Sequence, residues 1–204
     1  MLRYGGMAKD NDVIEDALNQ YYWHIQYLQD EKTGLWYHGY DNIGKDHMSG
    51  VYWGRANCWA AYTMSIVKYI LPERYLYPQY QEIVGSLTEQ LCALKIFQTD
   101  NGLWRTILDD QDSYEELSAS AGIAAAMVLE ENPLYRKYVE KSINGILAHV
   151  TPDGKVMDVS GGTAVMKDRE GYRMISKKWT WGWGQGMVLA FLSAVLMSDK
   201  RRDI

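Results

Sequence analysis

Apolar positions recur along the chain in two alternating styles. Residues 11–29 place Val13, Ile14, Ala17, Leu18, Tyr21, Ile25 and Leu28 at a period near 3.6, with Glu15, Asp16, Asn19 and Gln20 between them. That spacing predicts an amphipathic helix with one buried stripe. Residues 79–98 repeat the style with Ile83, Leu87, Leu91 and Leu94, and residues 134–149 form a third candidate. Between them stand segments rich in small residues, at about 52–70, 115–130 and 182–197. The clearest reads LSASAGIAAAMVL, small on all sides, as a helix packed on every side requires. The chain therefore alternates outer and inner helices, three of each.

A similar turn follows each outer helix. DEKTGLWYHGY (30–40) and QTDNGLWRTIL (98–108) share an acid, a glycine and then Leu-Trp. A weaker third copy, TPDGKVMDVS (151–160), keeps Asp153 and Gly154 and aligns Val156 with the leucine. The glycine is expected to stop the outer helix. The extended stretches that follow (LWYHGYD, LWRTILDD, KVMDVSGGTAV) are expected to pair as small hairpins at one end rather than as a sheet. Helix pairs repeated in sequence stack into a solenoid or a ring. The fold class is all-α, in a single domain over residues 1–204.

Composition narrows the partners. The formal net charge of −5 argues against nucleic acid and anionic membranes. No apolar run reaches the length of a membrane span, and MLRYGGMAKD has no apolar core of a secretory signal, which points to the cytoplasm. Cys58 and Cys92 make neither a disulfide framework nor a metal spacing and read as small buried hydrophobes. Sixteen tyrosines and eight tryptophans stand against two phenylalanines. Rings with polar edges suit sugars, although an aromatic core with its polar tips outward accounts for the same count.

Candidate chemistry gathers between the turns and the inner-helix N-termini: HGYD (38–41), YWGRANCW (52–59), DDQDSYEELSAS (109–120), SGGTAV (160–165) and WTWGWGQG (179–186). Parallel inner helices bring these segments to one face, where free N–H groups and the positive dipole end favour an anion. Arg55 lies between Trp53 and Trp59, and a guanidinium can grip a carboxylate in two parallel bonds. The alternative is a structural arginine paired with a carboxylate such as Asp41. His38 and Asp41 share a loop, where they can move a proton or simply cap a turn. Asp109, Asp110 and Asp112 offer a glycosidase acid and base, or solvated capping acids. Ser118 and Ser120 can bind ligand oxygens or serve as small packing residues.

At TGLWYHGYD, WGRANCWAAYTM, SASAGIAAAM and SGGTAV the sequence resembles the unsaturated uronyl hydrolases of glycoside hydrolase families 105 and 88, above all the unsaturated rhamnogalacturonyl hydrolase branch, over nearly its whole length. The resemblance implies an (α/α)6 toroid without metal or organic cofactor. It implies removal of a terminal unsaturated uronic acid from pectin- or glycosaminoglycan-derived oligosaccharides, by hydration of the sugar's C4=C5 double bond with an aspartic acid as general acid. His38, Trp53, Arg55 and Trp59 would then line the subsite for that sugar. The family has six helix pairs and three are visible here, so a partial toroid is expected. The family's general acid falls upstream of Met1, before the part matched by LRYGGMAKD, so no catalytic residue is assigned and the isolated chain is expected to be inactive. Its open edges call for a partner, a second copy or an N-terminal half. The competing readings are a non-catalytic acidic-sugar binder and a helical-repeat protein-interaction module.

Overall fold

The computed structural model describes residues 1–162, 164–177 and 180–202, the last three by their backbone alone. Among the described residues nine α-helices follow one another: α1 (Leu2–Ala8), α2 (Asn11–Leu28), α3 (Gly54–Ser65), α4 (Val67–Ile70), α5 (Gln79–Leu94), α6 (Leu117–Leu129), α7 (Arg136–Leu147), α8 (Arg169–Arg173) and α9 (Gly182–Arg202). The outer layer is α2, α5 and α7, and the inner layer is α3 with its continuation α4, then α6 and α9. The arrangement is three helix pairs, as the periodicity predicts, and it is the partial (α/α)6 toroid that the resemblance implies.

The two styles of helix follow from their surroundings. In α2, Asp10 caps the start by accepting from the Val13 N–H at 3.2 Å, and Ile14, Ala17 and Leu18 are buried. In α5 the apolar stripe Ile83, Leu87, Leu91 and Leu94 is buried. Helix α6 packs between α3 and α9 and against α5 and α7, so every residue from Leu117 to Val128 is buried. Small side chains allow that approach: a methyl group on Gly122 would overlap the Cys58 sulfur. Cys58 is buried as expected, but Cys92 is exposed, because it lies off the stripe set by Leu91 and Leu94.

Two elements have no counterpart in the pattern. Helix α1 is disguised in the sequence by Gly5 and Gly6, and its tight approach to Ile14 of α2 leaves no room for a side chain at Gly5. Met1 stands at the N-cap of this helix, its carbonyl accepting from the Gly5 N–H at 2.9 Å and its side chain exposed. Helix α8 is a short turn capped by Asp168, which accepts from the Gly171 N–H at 3.0 Å.

The structure corrects the role of the repeated glycines. The outer helices end at Leu28, Leu94 and Leu147, before the glycines are reached. Gly34, Gly102 and Gly154 instead close tight turns with φ of 74°, 80° and 82°. Their N–H groups donate to Asp30, Thr99 and Thr151 carbonyls at 2.7, 3.0 and 2.8 Å. Each turn is then sealed by a return bond, from Asp30, Thr99 and Thr151 N–H to the Leu35, Leu103 and Lys155 carbonyls. The third copy is thereby realigned: Val156 occupies the place of Trp36 and Trp104, and Lys155 that of the leucines. The hairpins are held by isolated bridges such as Gln29 to Trp36 and Val150 to Val156, without a strand among the described residues.

Each hairpin is clamped to its inner helix by the fourth residue of that helix. Asn57 Oδ1 accepts from the Trp36 N–H at 2.8 Å, Ser120 Oγ accepts from the Trp104 N–H at 2.8 Å, and Gln185 Oε1 accepts from the Val156 N–H. The turns also pack on the next outer helix. Gly102 faces the Lys141 carbonyl so closely that a Cβ would overlap it, whereas a Cβ on Gly154 would meet open space. Gly102→Ala should therefore combine left-handed strain with a backbone collision and destabilise by about 3 kcal/mol or more. Gly154→Ala, with strain alone, should cost about 1 kcal/mol. Urea unfolding midpoints of the two variants check the difference; equal losses would contradict it. No described helix is long and apolar enough to cross a membrane.

Candidate functional site

The three inner helices present their second residues to a common point. These are Arg55 in α3, Ser118 in α6 and Trp183 in α9. The Arg55 Nη2 donates to the Ser160 carbonyl at 2.8 Å and to the Ser160 hydroxyl, and Nη1 donates to the Gly162 carbonyl at 3.3 Å. Trp183 Nε1 donates to the same Ser160 carbonyl at 3.2 Å. Glu116 caps α6 and is fully buried: its carboxylate accepts from the Ala119 N–H at 2.7 Å, from the Ser118 hydroxyl and from the Ser160 N–H at 2.8 Å. Ser160 thus joins the N-terminal ends of all three inner helices.

Arg55 is 1% exposed and sits between two indoles, with Cζ 4.8 Å from the Trp53 ring centroid and 5.4 Å from that of Trp183. Burial pulls its pKa down, and the negative charge of Glu116 opposes the shift. Its Nε–H and the Trp53 indole N–H are buried without a hydrogen-bond partner. Unpaired buried donors are rare and costly, and each calls for an explanation.

An aromatic wall continues from Arg55 to a cavity. Trp53 is fully buried, and the half-buried Trp59 meets it edge to face at 5.5 Å. The His38 ring lies 4.2 Å from the Trp53 ring, and its Nδ1 shares a 2.6 Å hydrogen bond with the Tyr172 hydroxyl. Burial raises the Tyr172 pKa. The cavity of about 450 Å³ opens beside this wall and is lined by α2, α3 and the hairpin between them, including Tyr21, His24, Tyr37, His38 and Trp59. No carboxylate is among the described residues that line it.

The structure therefore brings His38, Trp53, Arg55 and Trp59 together, with Arg55 on the inner side of the wall and His38 and Trp59 on the cavity. Asp41 stands apart. It organises the 41–46 turn, accepting from the Ile43 N–H at 2.8 Å, while the Nη atoms of Arg55 go to Ser160 and Gly162 instead. Ser118 and Ser120 are fully buried, the first bonded to Glu116 and the second clamping Trp104, so both hold the frame rather than the cavity surface. Asp109 and Asp110 hold α8: Arg169 grips Asp109 with both Nη atoms, and the Arg173 Nε donates to Asp110 at 2.8 Å. Burial pushes the Asp110 pKa up, but the bonds from Arg173 and from the Asp112 N–H outweigh it and hold the carboxyl below its ordinary value. Thr163 and Trp179, in the motifs SGGTAV and WTWGWGQG, lie outside the described residues.

Sequence reasoning does not single out Glu116, Ser160, Tyr172 or Trp183. Aligning the starts of the inner helices would find Trp183, because it holds the same helix position as Arg55. Nothing local marks Tyr172, which reaches His38 across 134 positions of chain.

Comparisons with known proteins agree with this fold. The model of Glycosyl Hydrolase Family 88 matches residues 1–199. The unsaturated rhamnogalacturonyl hydrolase YesR of Bacillus subtilis (strain 168) is 50% identical over 201 residues, which are 98% of this chain and 58% of that protein. Two solved structures, each described as a possible member of the GH105 family, superpose closely. The one from Salmonella enterica has a TM-score of 0.91 at 31% identity, covering 97% of this chain and 53% of its own. The one from Klebsiella pneumoniae has a TM-score of 0.88 at 32% identity, covering 95% and 52%. The chain spans little more than half the length of these relatives.

Proposed function

Because the chain belongs to glycosyl hydrolase family 88, we propose that it holds the terminal unsaturated uronyl sugar of a pectin-derived, rhamnogalacturonan-type oligosaccharide. The observation that carries this reading is the aromatic wall of His38, Trp53 and Trp59 beside the cavity, with the buried Arg55 behind it. Arg55 supports this wall from its inner side, while the flattened sugar ring stacks along Trp59 and the His38 side of the cavity. The proposed reaction is hydration of the sugar double bond, after which the hemiketal opens and releases the rest of the oligosaccharide. Cavity-lining carboxylates are missing among the described residues, so we assign sugar holding to this chain and expect turnover only when a carboxylate from another segment faces the cavity. That makes acidic-sugar binding without cleavage the second reading.

Titration calorimetry with an unsaturated uronyl disaccharide tests the first reading, and loss of the enol-ether absorbance tests turnover. Binding without turnover by the 204-residue chain is the expected result. Absence of binding would overturn the proposal, and robust turnover would show that a described carboxylate serves as the acid.

Residues 1–204 are taken as one domain with an open edge. On α9 the exposed Leu189 and Leu196 stand seven residues apart on one face, where the repeat would place a further inner helix. An exposed apolar stripe on the last inner helix suits a second copy of the chain, and we place that copy there. Sedimentation should show a species of twice the 23.5 kDa of one chain, lost in Leu196→Glu. A monomer at all concentrations, or one that assembles only with a separate polypeptide carrying further helix pairs, would refute the second copy.

A further inference from the structure

Beside the cavity a line of rings crosses the surface from the hairpin onto α2. Tyr37, which lines the cavity, stacks on His47 at 3.9 Å; His47 meets Tyr40 at 5.5 Å; Tyr40 meets Tyr27 at 5.0 Å; and Tyr27 meets Trp23 at 6.2 Å. The inner part of this line has a structural purpose. His47 Nε2 bonds to the Tyr27 carbonyl at 3.0 Å and so ties the 41–50 loop to α2. The outer part exceeds that purpose, since Tyr27 is 43% and Trp23 52% exposed. A tryptophan half in water at the end of such a line presents apolar area that the fold does not use.

We propose that this track binds the pyranose units that follow the terminal sugar held in the cavity. Ring faces accept the axial C–H face of a pyranose, and the polar edges of Tyr, Trp and His can bond its equatorial hydroxyls. Continuity at Tyr37 gives the track its origin, because this ring borders the cavity and stacks on the first member of the line. Nucleic acid, which also stacks on aromatic tracks, is disfavoured by the chain's net charge of −5.

This inference rests on the cavity taking the terminal uronyl sugar, and the test separates the two. Calorimetry compares an unsaturated disaccharide, which fills the cavity, with an unsaturated hexasaccharide, which reaches the track. The wild-type chain should bind the hexasaccharide about tenfold more tightly than the disaccharide. Trp23→Ala should abolish that gain with disaccharide affinity unchanged, and Trp23→Phe should keep most of it. A disaccharide that binds with no gain on lengthening, or a gain that survives Trp23→Ala, overturns the track. A hexasaccharide that binds through Trp23 while the disaccharide does not bind leaves the track standing and removes the cavity reading. Absence of binding by either sugar removes both.

Discussion

Arg55→Ala should lose at least tenfold in affinity for an unsaturated uronate and should also unfold at a lower temperature. The first effect follows from the wall, since Arg55 packs against Trp53, and Trp53 sets the positions of the cavity-lining His38 and Trp59. The second follows from geometry. The substitution removes the Nη2 bonds to the Ser160 carbonyl and hydroxyl and the Nη1 bond to the Gly162 carbonyl, and it empties the space between Trp53 and Trp183. A loss of about 3 kcal/mol is expected, which lowers the melting temperature by roughly 6–12 °C for a chain of this size. Arg55→Lys should restore neither, because a single ammonium cannot reproduce the planar bonds to the Ser160 and Gly162 carbonyls or the packing on Trp53. Calorimetric titration beside a thermal melt separates the roles. A lowered melting temperature with unchanged affinity in the folded protein would leave Arg55 as a structural residue only.

Glu116 should matter as much for stability. Its carboxylate is buried and collects the Ala119 N–H, the Ser118 hydroxyl and the Ser160 N–H, while its charge offsets that of Arg55. Glu116→Ala strands all three donors and leaves the arginine without its counter-charge, at an expected cost of about 3–5 kcal/mol. Glu116→Gln keeps the shape but turns an NH2 group toward donors, so about 2 kcal/mol should still be lost. The two sites share Ser160, and a double-mutant cycle with Arg55→Ala should show a coupling of about 1–3 kcal/mol. Additive losses would mean that Ser160 does not transmit between them. Denaturant unfolding supplies both measurements.

The helix pairs are legible in the sequence because burial pattern is local. A stripe such as Ile83, Leu87, Leu91 and Leu94 needs one wet face, and LSASAGIAAAMVL needs none, so outer and inner layers can be read without coordinates. The turn repeat is legible too, since Gly34, Gly102 and Gly154 sit where the backbone takes positive φ. The same pattern misassigns their role, because a helix-ending glycine and a turn glycine a few residues later leave similar marks in a sequence.

Site chemistry is legible as a neighbourhood and not as a set of roles. Trp53, Arg55 and Trp59 adjoin in sequence, and their unusual company at the mouth of a helix can be read directly. Which way each side chain points depends on what the other helices bring. Arg55 turns inward because Ser160, Gly162 and Trp183 arrive there from more than 100 positions away in the chain. Ser120 resembles a ligand-binding serine until the Trp104 hairpin is laid on it, and Asp109 and Asp110 resemble a catalytic pair until Arg169 and Arg173 close over them. Periodicity along the chain determined the layers, the order of the helices and the end at which polar and aromatic residues collect. The tertiary structure alone decided which of those residues face the cavity and which hold the frame, because hydrogen-bond partners and burial come from segments that no local pattern relates.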